Sequence, residues 1–128
     1  MSNPADAMPL ARLLGVEVSQ ADPERVVGAI TVRDELCTAG DSVHGGTLMA
    51  FADSLAAIGA FLTLPEGAAG TTTIESKTNF VGKAASGAAL TGVATPLSVG
   101  RRVSVWQTEI RDQQHRPVAF VTQTQLVL

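Results

Sequence analysis

Asp53 is the side chain best suited to take part in a reaction, because it is the only charged residue in the apolar run from Gly45 to Leu64. Its helical neighbours three and four positions away offer only methionine and alanine side chains, so no lysine or arginine of the same helix can pair with it. A carboxylate in such surroundings is costly unless something uses or satisfies it. The pattern favours a general base or nucleophile over a solvated acid on a helix surface.

His44-Gly45-Gly46 stands at the start of the same run. Two glycines at a helix start leave backbone N–H groups uncovered where the helix dipole is positive. Such groups can stabilise a developing oxyanion. The glycines can equally serve a tight entry into the helix or close packing, and the tripeptide alone leaves both interpretations open.

The spacing of these two features constrains how they can cooperate. Gly45 and Asp53 are eight residues apart, which on one helix is about 12 Å along the axis and about 80° around it. One small reacting group cannot touch both. If they serve one site, a second copy of the chain must bring its Asp53 to the first copy's Gly45. Two antiparallel helices that meet at the face carrying the small residues Gly46, Ala50 and Ala57 would do this. The two-part site therefore predicts a homodimer with two equivalent sites.

The elements that would carry these residues follow from hydrophobic patterning. Strands are predicted at 16–20 and 25–32, a helix from Gly45 to about Leu64, and four more strands at 71–81, 88–95, 101–111 and 117–128. One helix covering a largely antiparallel sheet of about five or six strands is an α+β architecture. We expect residues 1–9 to form a flexible tail and 10–128 a single domain.

The predicted helix has two unlike faces. The bulky stripe is expected to press against the sheet and consists of Leu48, Phe51, Leu55, Ile58 and Leu62. The opposite stripe is small apart from its one carboxylate and consists of Gly46, Ala50, Asp53, Ala57 and Ala60. Small residues let another backbone or a flat ligand approach closely.

Composition limits which other classes of protein this chain can belong to. The net charge is −3, which argues against a nucleic-acid binder, although residues 77–128 carry six basic against two acidic side chains and could receive an anionic ligand. Cys37 is the only cysteine, and with two histidines it forms no metal-ligand spacing. No signal peptide is recognisable at the N-terminus, so we expect a cytoplasmic protein without a metal or other cofactor.

His-Gly-Gly before a long apolar helix, an acid nine residues after the histidine and a strand-rich remainder closely resemble the hotdog-fold acyl-CoA thioesterases. The resemblance runs over roughly residues 10–128 and is nearest to the branch of the phenylacetic-acid-degradation and 4-hydroxybenzoyl-CoA thioesterases. It implies hydrolysis of a small aromatic or medium-chain acyl-CoA, and homodimers that pair into tetramers.

The resemblance also assigns roles to residues. It implies that the N–H of Gly45, beside His44, polarises the thioester carbonyl, and that Asp53 of the opposing subunit is nucleophile or general base. Thr73, in the strand that runs to Phe80, would position water or the carboxylate. Relatives often carry Asn or Gln six residues before the histidine, where this chain has Thr38; the shorter hydroxyl bears on substrate preference and rate.

Three basic residues are candidates for binding the CoA phosphates. Arg101 and Arg102 begin a strand after the turn at 96–100, and Lys83 follows another strand. Guanidinium groups suit phosphates, and the resemblance places the turn near the CoA nucleotide; solubilising charge at strand ends explains them equally well.

Two alternatives remain open. A non-catalytic acyl-CoA binder or sensor on the same fold would not need Asp53, so the intact pair of Gly45 and Asp53 argues against it. A hotdog enoyl-CoA hydratase or dehydratase usually places its acid and histidine in a different order, and His44 before Asp53 favours hydrolysis.

Overall fold

A computed structural model describes residues 2–128. The helices are α1 (Pro9–Leu14) and α2 (Gly45–Leu62), with short 3-10 helices at Pro4–Ala7 and Asp34–Leu36. The strands are β1 (Glu17–Asp22), β2 (Arg25–Thr31), β3 (Cys37–Thr38), β4 (Ser42–Val43), β5 (Thr71–Phe80), β6 (Ala89–Val99), β7 (Val103–Arg111) and β8 (Pro117–Val127).

Six of these strands form one sheet in the order β1-β2-β6-β7-β8-β5, and every neighbouring pair is antiparallel. The remaining two, β3 and β4, form a two-residue ladder in the loop that leads into α2. The long helix packs on one face of the sheet. The predicted α+β architecture, with one helix against a six-stranded antiparallel sheet, is confirmed, and β5 is an edge strand.

Glycines on the sheet allow α2 to lie close to it. Gly28 of β2 and Gly92 of β6 are directly paired, and a Cβ on them would lie 2.6 and 2.7 Å from the methyl carbons of Leu55. Leu55 therefore inserts into a trough that side chains would fill. Later in the helix Gly59 meets the ring of Trp106, which would lie 2.4 Å from a Cβ at that position.

The bulky stripe of α2 is buried against the sheet, as predicted, only over the first half of the helix. Leu48, Phe51 and Leu55 are buried, whereas Ile58 is half-buried and Leu62 is 40% exposed. The last turns contact the sheet through Gly59 and Ala60 instead, because the large Trp106 ring occupies the space where a leucine would otherwise pack.

The N-terminal segment departs from the predicted flexible tail. Met1 lies outside the described residues, but Asn3 is tied to β1, because its amide donates to the Val16 carbonyl at 2.7 Å and its Oδ1 accepts from the Val18 N–H at 3.1 Å. Ala5 is fully buried. A polar side chain that bridges to a strand edge is invisible to hydrophobic patterning, and it holds this segment against the domain.

By length and hydropathy, α2 is apolar enough to cross a membrane: its 18 residues have a mean hydropathy of 1.5. Half of that stretch is buried inside the protein. The same composition is expected of a central helix that packs against a sheet, and α2 occupies that position.

Candidate functional site

Asp53 is half-buried on the face of α2 that turns toward β5 and β8. Its Oδ1 accepts two hydrogen bonds, from the Thr73 hydroxyl at 2.7 Å and from Nε2 of Gln123 at 2.8 Å. Within residues 2–128 its Oδ2 accepts none. The carboxylate is thus fixed by one oxygen and leaves the other available for chemistry.

A second glutamine extends this group of polar side chains. Nε2 of Gln125 donates to Oγ1 of Thr73 at 2.6 Å, and the Thr71 hydroxyl donates to Oε1 of Gln125 at 3.0 Å. Both Gln123 and Gln125 are fully buried. Asp53 therefore stands at the end of a chain of hydrogen bonds that begins on β5 and crosses β8.

A bulge in β5 brings Thr73 to this position. Thr73 pairs with Gln125 and Glu75 pairs with Thr124, so Ile74 is an extra residue in the ladder. An extra residue reverses which side chains face inward beyond it. Before the bulge Thr73 faces the helix, and beyond it the inward positions are the even-numbered ones, ending at Phe80 opposite Ala119.

The start of α2 forms the other half of the predicted site. Nδ1 of His44 accepts a hydrogen bond from the Gly46 N–H at 2.7 Å and so caps the helix. Because Nδ1 accepts, the neutral imidazole carries its proton on Nε2. The Gly45 N–H has no acceptor among residues 2–128, and the Phe80 ring packs over this glycine, 3.1 Å from where a Cβ would stand.

Within one chain these two halves remain apart. The continuous helix separates Gly45 from Asp53 by about 12 Å along its axis. Their neighbours on β5 are farther apart still, since Thr73 and Phe80 are seven residues apart, which is roughly 20 Å of strand. The structure therefore brings together Asp53 and Thr73 but not Asp53 and Gly45.

The remaining predicted site residues lie outside the group formed by Asp53, Thr73 and the start of α2. Thr38 is exposed in β3, in the loop that leads to His44, and its hydroxyl bonds no described residue. Arg101 and Arg102 are exposed and share a surface cleft with the loop after α2. Lys83 is exposed at the opposite end of β8, so one chain does not bring the three basic residues together.

The part of the chain from 2 to 128 contains no group of three or more His, Cys, Asp or Glu side chains placed to hold a metal ion. His115 is exposed after β7 with a φ of 64°. Trp106 is fully buried.

The chain also matches known proteins. Residues 40–119 match the family model described as the Thioesterase superfamily. A protein of Mycobacterium tuberculosis named "Putative esterase Rv1847" is 32% identical over 114 residues, which cover 88% of this chain and 81% of that protein. The chain belongs to the thioesterase superfamily.

Solved structures agree with this membership. The structure of the mycobacterial protein has a TM-score of 0.90 at 29% identity and covers 94% of the thioesterase described here and 97% of its own chain. Thioesterase HI1161 of Haemophilus influenzae has a TM-score of 0.89 at 25% identity, with coverage of 98% and 87%. The predicted hotdog fold and the class of thioester hydrolase are confirmed.

The same fold occurs in a protein of Streptococcus pneumoniae described as a hypothetical thioesterase and solved with coenzyme A. It has a TM-score of 0.81 at 23% identity, and the match covers 88% of this thioesterase and 85% of that chain. At this identity the likeness is one of fold.

Sequence reasoning missed the two glutamines of the site. The signal was present in β8, where inward-facing positions alternate along the strand and read Val121, Gln123 and Gln125. Two amides at positions that the pattern assigns to the core indicate a buried polar network. What they bond depends on strand pairing, which periodicity does not specify.

Proposed function

We propose that this thioesterase hydrolyses an acyl-CoA to the free acid and coenzyme A at two equivalent sites in a homodimer. The observation that carries the proposal is the Asp53 carboxylate, whose Oδ1 is held by Thr73 and Gln123 and whose Oδ2 has no hydrogen-bond partner among residues 2–128. In each site Asp53 comes from one subunit, and the Gly45 N–H that polarises the carbonyl comes from the other.

The chemistry fits these groups. Either water adds to the thioester carbonyl carbon as its proton passes to Asp53, or Asp53 itself attacks that carbon, and the mixed anhydride that remains after the thiolate has left is hydrolysed by water, which frees the acid and restores the carboxylate. The carbonyl oxygen gains negative charge, which the Gly45 N–H and the positive end of α2 stabilise. The C–S bond then breaks and the thiolate leaves. Since a thiol has a pKa of about 8.5, the leaving group needs little help from an acid.

Two unpartnered features support the dimer. The ten-residue strand β5 lies at the sheet edge, so one row of its backbone groups is free to pair with another chain. On α2 the neighbouring small residues Ala50 and Ala57 are only half-buried beside Asp53. Antiparallel pairing of two β5 edges would align the two helices antiparallel, as the separation of Gly45 from Asp53 requires.

An apolar cavity near Asp53 supports the choice of acyl group. Its volume is about 620 Å³. The walls come from the N-terminal segment, the second half of α2 and the start of β5, and include Ala57, Ile58, Phe61 and Thr71. Ala57 is one helical turn beyond Asp53, so the nearest wall of the cavity lies about 6 Å farther along the helix axis. An aromatic ring or a medium-length alkyl chain suits this space.

The basic residues support coenzyme A as the leaving group. Arg102 lies at the end of the sheet where β5 begins, because the Val127 N–H bonds its carbonyl and Val127 pairs with Thr71. Lys83 follows the other end of β5. Antiparallel pairing of β5 would therefore bring Lys83 of one chain toward Arg101 and Arg102 of the other, around the phosphates of one CoA. A protein of this fold was solved with coenzyme A.

Release of free thiol from a panel of aryl- and alkyl-CoA esters tests the proposal, with wild type beside Asp53→Asn. We expect turnover by the wild type and a loss of about 100-fold or more in the variant, because the amide neither accepts a proton nor attacks. Equal rates would contradict the role of Asp53. Binding of CoA without turnover would support a sensor instead.

A further inference from the structure

Gln123 and Gln125 are out of place for a packed sheet. Both are fully buried on the inner face of β8, whose neighbouring inward positions Ala119 and Val121 are apolar. Removing an amide from water costs free energy unless hydrogen bonds compensate. The positions would accept leucine or methionine on packing grounds alone, so the amides point to a task that requires their hydrogen bonds.

The direction of the bond from Gln123 is determined by chemistry. An ionised carboxylate can only accept, so Nε2 must face Oδ1 of Asp53, as observed at 2.8 Å. This orientation leaves the amide oxygen of Gln123 unsatisfied. Oε1 of Gln123 is buried and has no hydrogen-bond partner among residues 2–128. Rotating the amide would set Oε1 against the carboxylate, so the unsatisfied acceptor is retained to keep the donor on Asp53.

Gln125 determines the direction of the bond from Thr73. The Thr71 hydroxyl lies 3.0 Å from Oε1 of Gln125 and 3.1 Å from the Leu126 carbonyl oxygen, and Nε2 of Gln125 faces Thr73. Oγ1 of Thr73 accepts from that nitrogen at 2.6 Å. The single hydroxyl proton of Thr73 is then directed to Oδ1 of Asp53, at 2.7 Å. The hydrogen bonds donated by Gln125 and by Thr73 therefore both run toward the Asp53 carboxylate.

We propose that Gln123 and Gln125 are positioning residues for the hydrolysis, which together hold Oδ1 of Asp53 and so reserve Oδ2 for the reacting water or carbonyl carbon. Gln123 acts directly on the carboxylate and Gln125 acts through Thr73. This inference rests on the proposed function, since it presumes that Asp53 is the reacting carboxylate.

Two substitutions test the roles separately. Gln123→Met keeps the length of the side chain and removes the donor. Gln125→Glu keeps its shape, but its carboxylate cannot donate and takes the hydroxyl proton of Thr73 away from Asp53. We expect each to lower kcat about 10- to 100-fold with little change in KM, as for a lost hydrogen bond to a charged group. Gln107→Met is the matched control, because Gln107 faces the other side of the sheet on β7.

Combining Gln123→Met with Asp53→Asn provides a readout that a structural role would not change. In an Asp53→Asn background the same substitution should change the residual rate less than about twofold, because the group it positions is already absent.

The possible outcomes distinguish a failure of the positioning role from a failure of the proposed function. If Asp53→Asn is inactive while folded Gln123→Met and Gln125→Glu keep wild-type kcat, the positioning role is wrong and the function stands. An equal proportional loss with and without Asp53 also overturns the inference. If Gln123→Met does not fold, by circular dichroism and urea unfolding, Gln125→Glu decides the question alone. Full activity in Asp53→Asn overturns the proposed function itself.

Discussion

The hydroxyl of Thr73 donates a 2.7 Å hydrogen bond to Oδ1 of Asp53, across the boundary between the edge strand and the central helix. The two residues are twenty positions apart in the chain, and the bulge at Ile74 brings them together. This contact joins the Asp53 carboxylate to the strand that we propose to pair with a second subunit.

Removing this hydroxyl should slow catalysis and leave binding largely intact. We expect Thr73→Val, which preserves shape, to lower kcat about 10- to 100-fold, because Asp53 loses a donor to its charged form. Thr73→Ser retains the hydroxyl and should stay within about threefold of wild type. Steady-state thiol release measures both variants. A Thr73→Val enzyme with wild-type kcat would mean that the contact is structural only.

Subunit complementation tests whether the site is shared. Gly45→Pro removes the backbone N–H at the first helical position, where proline is tolerated, and Gly45→Ala keeps the N–H while placing a similar carbon against Phe80. We expect the proline variant to be nearly inactive and the alanine variant to be more active, which isolates the N–H.

Mixed dimers of Asp53→Asn and Gly45→Pro chains should then recover activity. Half of the dimers from a random mixture are mixed, and each contains one intact site of two, so about a quarter of wild-type activity is expected. Co-expression with two affinity tags and a thiol-release assay measures it. Mixed dimers as inactive as their parents would place Gly45 and Asp53 of one chain in the same site, contrary to the proposal.

The apolar cavity should set the length of the acyl group. Ala57→Leu narrows the cavity at the wall nearest Asp53, so kcat/KM for octanoyl-CoA should fall at least about tenfold relative to acetyl-CoA. Ala29→Leu, on the exposed outer face of β2, is the control. Gel filtration checks that the dimer persists. A parallel loss for every chain length would show that the cavity does not hold the acyl group.

Asp112 should contribute to stability in a pH-dependent way. Burial acts to raise the pKa of its carboxyl, but hydrogen bonds from the backbone and guanidinium of Arg116 and from the Gln114 N–H outweigh it and hold the pKa below its ordinary value. A group with a lowered folded pKa stabilises the protein above its unfolded pKa of about 3.9. That contribution is lost as the pH falls through the folded value.

We therefore expect Asp112→Asn to lower the urea midpoint at pH 7 and to match wild type increasingly closely below about pH 4. Asp6→Asn is the control, because this exposed carboxylate has no side-chain hydrogen bond within residues 2–128. A deficit of the same size at pH 7 and pH 3 would show that the contribution of Asp112 does not depend on its charge.

Local patterns in the sequence determined much of what the structure contains. The apolar run with small residues on one face predicted α2, and β-branched segments separated by turn residues predicted the strands. The spacing of Gly45 and Asp53 predicted that the two residues lie too far apart on one helix for a single reacting group to touch both, and the continuous helix Gly45–Leu62 keeps them apart. These features depend on residues close together in the chain, so periodicity and helix dimensions suffice to infer them.

Tertiary structure decided the contacts that determine how Asp53 is held. Gln123 and Gln125 reach the site because β8 pairs with β5 in one register, and Thr73 faces Asp53 because of a single extra residue at Ile74. The docking of Asn3 on β1 and the packing of Gly59 against Trp106 likewise join distant segments. Strand register and bulges depend on how the whole sheet packs against the helix, and hydrophobic periodicity along one segment carries no information about that pairing.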